Sequence, residues 1–196
     1  MMKSGDGDHL RWEEESREKE SSFGIFDVYR VTRTSPAGQR GSFVVVDAPD
    51  WVTVIPLLAG KESSFLMVRQ FRHGSRNLTL EFPAGVVEPA EEPSAAAARE
   101  LAEETGYLAD RLTLLGAINP NPSFMCNTSY TFLAEGLHKA GNPTPDALEL
   151  VESELLPVDR VIAEMGTGLF NNAIMMSGLA YYLRWRAGRP GSSAHK

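Results

Sequence analysis

Three glutamates, Glu100, Glu103 and Glu104, stand at i, i+3 and i+4 within the segment Gly85–Tyr107 (GVVEPAEEPSAAAARELAEETGY). At 3.6 residues per helical turn that spacing puts all three carboxylates on one face. Like charges so placed repel and weaken an isolated helix. A divalent cation reverses the sign of the interaction, and hard oxygen ligands clustered on one rigid element are what Mg²⁺ or Mn²⁺ prefers. An ion held this way can neutralise phosphate charge and activate water. The competing reading is a solvated glutamate face, the common fate of such runs on alanine-rich helices.

The flanking residues supply the helix that this chemistry needs. Glu92-Pro93-Ser94 reads as a helix start, with Pro93 in the first turn where its missing N–H costs nothing. Ala95 to Ala98 are strong helix formers, and Gly106 is a stop that enters the left-handed C′ conformation without strain.

The chain of 196 residues is long enough for one core with a small appendage. A formal net charge of −7 argues against bulk nucleic-acid binding, which needs a basic footprint. No apolar run approaches a membrane span and no leader pattern opens the chain, so no membrane association is expected. The single cysteine, Cys126, excludes an internal disulfide and suits a reducing, cytoplasmic compartment; it is expected to be a small buried filler.

In chain order, the first eight residues are expected to be disordered, and Leu10 and Trp12 to begin an edge strand. Ser22 to Val31 and Ser42 to Val46 read as strands around a Ser35–Gly38 turn, forming an N-terminal sheet. Further strands are expected over Trp51–Leu58, Ser64–Phe71, Leu78–Phe82, Leu112–Ile118, Thr128–Ala134 and Leu148–Leu156. Asn119 to Ser123 is a loop, as two prolines exclude ladder pairing. Glu135 to Ala147 is expected to be a surface loop. Val158–Met165 reads as a short helix and Gly168–Arg186 as a longer one, with Leu169, Ile174, Met175, Leu179 and Leu183 as its core stripe. Interleaved helices and strands imply a mixed α/β (α+β) sandwich. The expected organisation is an N-terminal region over 1–48, a main domain over 49–188 and a disordered tail over 189–196.

Gly85, Glu91, Arg99-Glu100-Leu101, Glu103-Glu104, Gly106 and the apolar Tyr107 together resemble the signature of the Nudix hydrolases at every fixed position. The resemblance implies the Nudix α-β-α sandwich from about Trp51 to Arg186, with a mixed central sheet. It implies hydrolysis of a nucleoside diphosphate linked to another group. Glu100 and Glu104 are then the leading metal ligands and Glu103 a ligand or metal-water contact. Ala84 resembles the position offering a backbone carbonyl. Glu91 and Arg99 would pair to fix the loop against the helix, and Gly85 is expected for backbone geometry.

Arg69-Gln70-Phe71-Arg72, Glu81-Phe82-Pro83-Ala84-Gly85 and Pro122, fifteen residues after Tyr107, resemble the ADP-ribose pyrophosphatase and nucleoside-diphosphate-sugar branch. That branch implies a homodimer built partly by the N-terminal sheet, with an ADP-ribose-like substrate split into a nucleoside monophosphate and a sugar phosphate. Arg72 would contact the diphosphate, where a guanidinium fork suits paired oxygens; the alternative is a surface arginine at a strand edge. Arg69 and His73 are weaker candidates, and Glu81 would support the site from the preceding strand. Trp12, Phe23, Phe26 and Tyr29 are the N-terminal aromatics available to stack on a base.

One departure stands out. The branch often carries a glutamate in the loop after the proline, yet Pro122–Thr128 holds no carboxylate. Glu103, Glu104, Glu149 or Glu152 is left to supply the base, with Glu149 and Glu152 otherwise read as solvent-facing strand residues. The alternatives are a nucleotide-binding module without catalysis, or a pyrophosphatase for dinucleoside polyphosphates, coenzyme A derivatives or oxidised nucleoside triphosphates.

Overall fold

The computed structural model of the chain describes residues 7–146 and 148–188. The tail expected over 189–196, and most of the expected disordered N-terminus, lie outside the described residues. Residues Asp8–Leu10 form a single 3₁₀ turn.

The chain divides into two units, Met1–Pro49 with Asn119–Asn127, and Asp50–Ile118 with Thr128–Lys196. The first holds an antiparallel sheet of β1 (Glu13–Ser22), β2 (Asp27–Thr34) and β3 (Arg40–Asp47), in that order. β1 (EEESREKESS) is exposed at every position. It has no apolar alternation to announce a strand, so the expected start at Leu10 and Trp12 and the expected strand from Ser22 are both corrected. Cross-strand ion pairs hold it on β2: Lys19–Asp27 at 2.5 Å, Glu20–Arg30 at 2.5 Å and Glu14–Arg33 at 3.1 Å. Each such exposed pair is worth at most about 1 kcal/mol, so backbone pairing carries most of the strand. Gly24, at φ 79°, turns the chain between β1 and β2 where a continuous strand was expected. The 119–127 segment is tied to β3 by Val46 N–H donating to the Phe124 carbonyl at 2.7 Å.

The second unit is a mixed sheet with helices on both faces. Strands run β10 (Val151–Pro157), β5 (Ser64–Arg72), β4 (Trp51–Leu58), β9 (Ser129–Lys139), β8 (Tyr107–Ile118), while β6 (Asn77–Glu81) pairs with β5 and β7 (Ala84–Val86) with β4. β4 and β9 are parallel; the other pairs are antiparallel. Alternation along β4 explains the layers. Val52 and Val54 join Ala96, Ala97 and Leu101 of α1 (Pro93–Thr105) in one core. Ile55 faces the other way, toward α2 (Val158–Glu164) and α3 (Ala173–Ala187), whose Val161, Met175, Leu179 and Tyr182 complete the second core.

β8 and β9 are longer than expected. β8 begins directly after Gly106, and β9 runs to Lys139, well into the expected Glu135–Ala147 loop. Gly136 adopts φ 71° within β9 while the register runs on across it, and an Arg111–Glu135 pair at 2.7 Å bridges the two strands beside it. A glycine and a run of polar residues read as a loop only when that cross-strand pairing is ignored. α3 starts at Ala173, later than the expected Gly168, because Asn172 caps it by accepting from Ile174 and Met175 N–H at 2.8 and 3.4 Å.

Phe65 is fully buried at the centre of the second core, edge-on to Phe82 and Tyr182 with centroids 5.2 and 4.9 Å away. Phe65→Ala is therefore expected to cost about 3–5 kcal/mol, read as a lower urea midpoint at unchanged m-value.

Candidate active site

Local signals place the site helix. Glu92 is the N-cap of α1, Pro93 opens it, and Gly106 closes it at φ 74° with its N–H donating to the Ala102 carbonyl at 2.8 Å. Glu100, Glu103 and Glu104 occupy the face turned toward β7. Gly85 is not in the left-handed region, so backbone conformation is not why a glycine stands there. A Cβ at this position would overlap the Glu100 carboxylate, and the glycine is needed for that close approach.

Arg99 organises three of the four nearby carboxylates. Its Nε and Nη2 donate to both Glu91 oxygens at 3.0 Å, and its Nη1 donates to Glu100 at 2.8 Å and Glu103 at 3.0 Å. Nη2 also reaches the Val86 carbonyl at 2.9 Å, tying β7, the acidic loop and α1 together. Glu91 in turn accepts from Glu88 N–H at 3.0 Å. Those hydrogen bonds from Arg99, its first partner, hold the Glu91 carboxyl below its ordinary range.

Glu104 is different. It is 2 % exposed, and its carboxylate accepts from Ala84 N–H at 3.2 Å. Among the described residues no ion pair is formed by it. Burial, with the charges of Glu100 and Glu149 beside it, pushes its carboxyl up to about 8. Burial also raises Glu100, against the pull of Arg99. Arg99 thus pairs with three of the four carboxylates, and burial drives Glu100 and Glu104 toward protonation.

That surplus fits a divalent cation. The donors are all carboxylate or carbonyl oxygens, the set that hard cations select. Among the described residues no three acidic, histidine or cysteine groups converge on a single point as they stand. Arg99 Nη1 instead donates to both Glu100 and Glu103.

A cavity of about 790 Å³ is lined by Arg72, His73, Glu81, Glu149 and Asn172, among others. Arg72 is half-buried in its wall rather than a free surface arginine. Its Nε and Nη2 donate to the two oxygens of Glu81 at 3.0 and 2.6 Å. Burial works against both charges, yet the contact with Glu81 lifts Arg72 above its ordinary range and that with Arg72 holds Glu81 below its own. The negative charges of Glu104 and Glu149 also act on Arg72, which puts this wall beside α1.

Arg69, three residues earlier on β5, points to the opposite face and pairs with Glu154 at 2.6 Å. It is not among the residues lining the cavity. Glu149 and Glu152 are separated too, here by where β10 begins. Glu152 stands opposite Arg69 on β10, whereas Glu149 precedes the strand, in the loop, and lines the cavity. The loop that carries Glu149 is anchored to α1: Ala140 N–H donates to the Gly106 carbonyl at 2.9 Å and Thr144 N–H to that of Glu103 at 2.8 Å. Asn172, whose Nδ2 donates to Glu81 at 2.7 Å, was not a sequence candidate, although an asparagine before an apolar helical run is a legible cap signal.

Pro122 belongs to the 119–127 segment of the first unit. In that unit Trp12 is edge-on to Phe43 at 5.4 Å, Phe23 packs on Phe26 at 5.3 Å, and Tyr29 lies under the Arg17 guanidinium at 4.2 Å. Cys126 is exposed rather than a buried filler, and its Sγ donates to Asp47 at 3.1 Å. Partial desolvation and the Asp47 carboxylate raise its thiol pKa, which disfavours the reactive thiolate.

A NUDIX domain model matches residues 49–174. The chain belongs to the Nudix hydrolase family. Among its Nudix relatives, an ADP-ribose pyrophosphatase of Bacillus subtilis is 35 % identical over 154 residues, 78 % of this chain and 80 % of that one. An ADP-sugar pyrophosphatase of Mus musculus is 31 % identical over 150 residues, 69 % of each chain. The crystal structure of an ADP compounds hydrolase superposes with a TM-score of 0.80 at 23 % identity, over 91 % of this chain and 95 % of that chain, and shares the Nudix fold with its additional N-terminal sheet. Among the described residues no helix is long and apolar enough to cross a membrane.

The Glu104 proton gives this site a pH signature in metal-free protein. Below about 4.5 the carboxyl is protonated folded or unfolded. Between 4.5 and about 8 the folded chain keeps a proton that the unfolded chain has released, so stability falls as pH rises through that window. Thermal melts in chelator are expected to show Tm decreasing from pH 5 to 8, a slope that Glu104→Gln removes and added Mg²⁺ or Mn²⁺ flattens. A flat profile in metal-free wild type contradicts the assignment.

Proposed function

We propose that this protein hydrolyses the diphosphate bond of a nucleoside diphosphate sugar, ADP-ribose foremost, giving a nucleoside monophosphate and a sugar phosphate. The observation that carries the proposal is Glu104: a buried carboxylate in a surplus of negative charge, set beside an arginine-lined cavity. The names of the Bacillus subtilis and Mus musculus relatives support the substrate class.

In this reading Glu100 and Glu104 would hold Mg²⁺ or Mn²⁺, and Glu103 and the Ala84 carbonyl would be available to it as further oxygen donors. When bound, the ion neutralises the diphosphate and acidifies the attacking water. Arg99 and Glu91 keep the helix carboxylates in place. Arg72 grips the diphosphate with its two-pronged donor, oriented by Glu81. Glu149, in the cavity with Arg72, accepts the proton from the water as oxygen attacks phosphorus and the bridging P–O bond breaks. It takes the role for which the Pro122–Thr128 loop has no carboxylate. Two copies form a homodimer through the N-terminal region, 1–48, which carries the β1–β3 sheet, and the protein works in the cytoplasm.

The test is phosphate release from a panel of ADP-ribose, ADP-glucose, GDP-mannose, NADH, diadenosine polyphosphates and nucleoside triphosphates. Each is incubated with Mg²⁺ or Mn²⁺ and the products are exposed with a phosphatase. ADP-ribose or a related sugar diphosphate is expected to be the best substrate. Glu104→Gln is expected to lower kcat by at least about a hundredfold, since even groups behind a metal's ligands contribute about ten- to a hundredfold. Cleavage mainly of triphosphates would replace the substrate class, and binding without cleavage would replace the enzyme.

A further inference from the structure

We infer that Asn172 is a positioning residue that sets the substrate-gripping geometry of Arg72 through Glu81, joining the start of α3 to the cavity wall. The inference rests on the reading of Arg72 as the diphosphate contact.

The side chain of Asn172 is used at both ends. Its Oδ1 caps α3 by accepting from Ile174 and Met175 N–H at 2.8 and 3.4 Å. Its Nδ2 donates to Glu81 Oε2 at 2.7 Å. The same Oε2 accepts from Arg72 Nη2 at 2.6 Å, while Oε1 accepts from Arg72 Nε at 3.0 Å. Glu81 is nearly fully buried, and its carboxylate is held by donors that include both prongs of Arg72 and, from the side of α3, Asn172, which thereby helps to fix the plane of that carboxylate. A guanidinium fork follows the plane of the carboxylate it meets.

The residue type is informative. Serine, threonine, aspartate and asparagine cap helices about equally well. Only asparagine offers a capping oxygen together with an N–H donor for a neighbouring carboxylate. Aspartate would cap as well and set two carboxylates against each other. Serine would cap with its only oxygen, on a side chain one heavy atom shorter, and leave Glu81 Oε2 with the Arg72 donor alone. The orientation of the amide is fixed by its surroundings, because the helix N–H groups can only donate and the Glu81 carboxylate can only accept.

The anchor is rigid on both sides. Leu80, next to Glu81 on β6, donates its N–H to the Leu169 carbonyl at 2.9 Å, tying the approach to α3 onto the strand. Met175 and Leu179 of α3 pack in the same core as Leu80 and Phe82, the two neighbours of Glu81. Asn172 thus links the packing of α3 to the orientation of Arg72 on β5.

Asn172→Ser and Asn172→Asp separate the two uses of the side chain, since both keep the cap and lose the donor. The experiment measures KM and kcat for ADP-ribose with Mg²⁺, Tm, and a crystal structure of Asn172→Ser, with Arg72→Ala alongside. The expected result is a KM raised roughly five- to tenfold in Asn172→Ser and further in Asn172→Asp. Tm and kcat stay near wild type in Asn172→Ser, Tm falls in Asn172→Asp, and the Arg72–Glu81 contact drops from two points to one in the crystal. If Arg72→Ala raises KM but Asn172→Ser does not, or if the two-point contact persists unchanged, the inference is overturned while the reading of Arg72 stands. If Arg72→Ala leaves KM unchanged, the reading of Arg72 fails and the inference falls with it.

Discussion

Everything in this site follows from placing more negative charge in a confined space than the protein itself neutralises. α1 presents three glutamates on one face, β7 brings a glycine close enough for Glu100 to lie against it, and the 140–146 segment caps the helix end and leads to Glu149. Arg99 answers three of the carboxylates and leaves Glu104 to a single backbone N–H. A solvated glutamate face would show none of this: its carboxylates would be exposed and at their ordinary pKa. Burial makes the charge surplus costly, and a cation removes the cost. The same electrostatics explain why the fold keeps so many apparently redundant anchors around Arg99.

The sandwich supplies the rigidity that such a surplus requires. α1 is fastened by Ala96, Ala97 and Leu101 to the β4–β9 centre of the sheet, and the opposite layer is fastened by Phe65, Phe82 and Tyr182. The cavity opens where the two layers end, between the last turn of β5, the end of β6, the loop before β10 and the start of α3. Binding residues therefore come from elements distant in sequence, each positioned by its own core contacts. Nudix membership and the fold shared with an ADP compounds hydrolase agree with this construction.

How much of this was legible in the sequence depended on whether the signal was local. The limits of α1 were, because Pro93 and Gly106 act within a turn of themselves. The spacing of the glutamates told which face they share, though not that Glu104 would be buried and Glu103 left half-exposed. The reason for Gly85 was not legible: the glycine makes room for a side chain fifteen residues away. β1 was missed because a strand of alternating charges is stabilised by partners across the sheet rather than by its own composition. The separation of Arg72 from Arg69 follows from strand alternation. The separation of Glu149 from Glu152 depends on where β10 begins, which composition did not reveal. Asn172 reads from sequence as a cap alone, and its second partner is ninety-one residues away.

The most direct test of the central claim is calorimetric titration of metal-free protein with Mg²⁺ or Mn²⁺ at pH 7, in two buffers of different ionisation enthalpy, for wild type and Glu104→Gln. If a buried, partly protonated Glu104 belongs to the cation site, binding releases close to one proton in wild type, and in Glu104→Gln both the affinity and the proton release fall. Tight binding with no proton released, or an unchanged titration in Glu104→Gln, would contradict the account.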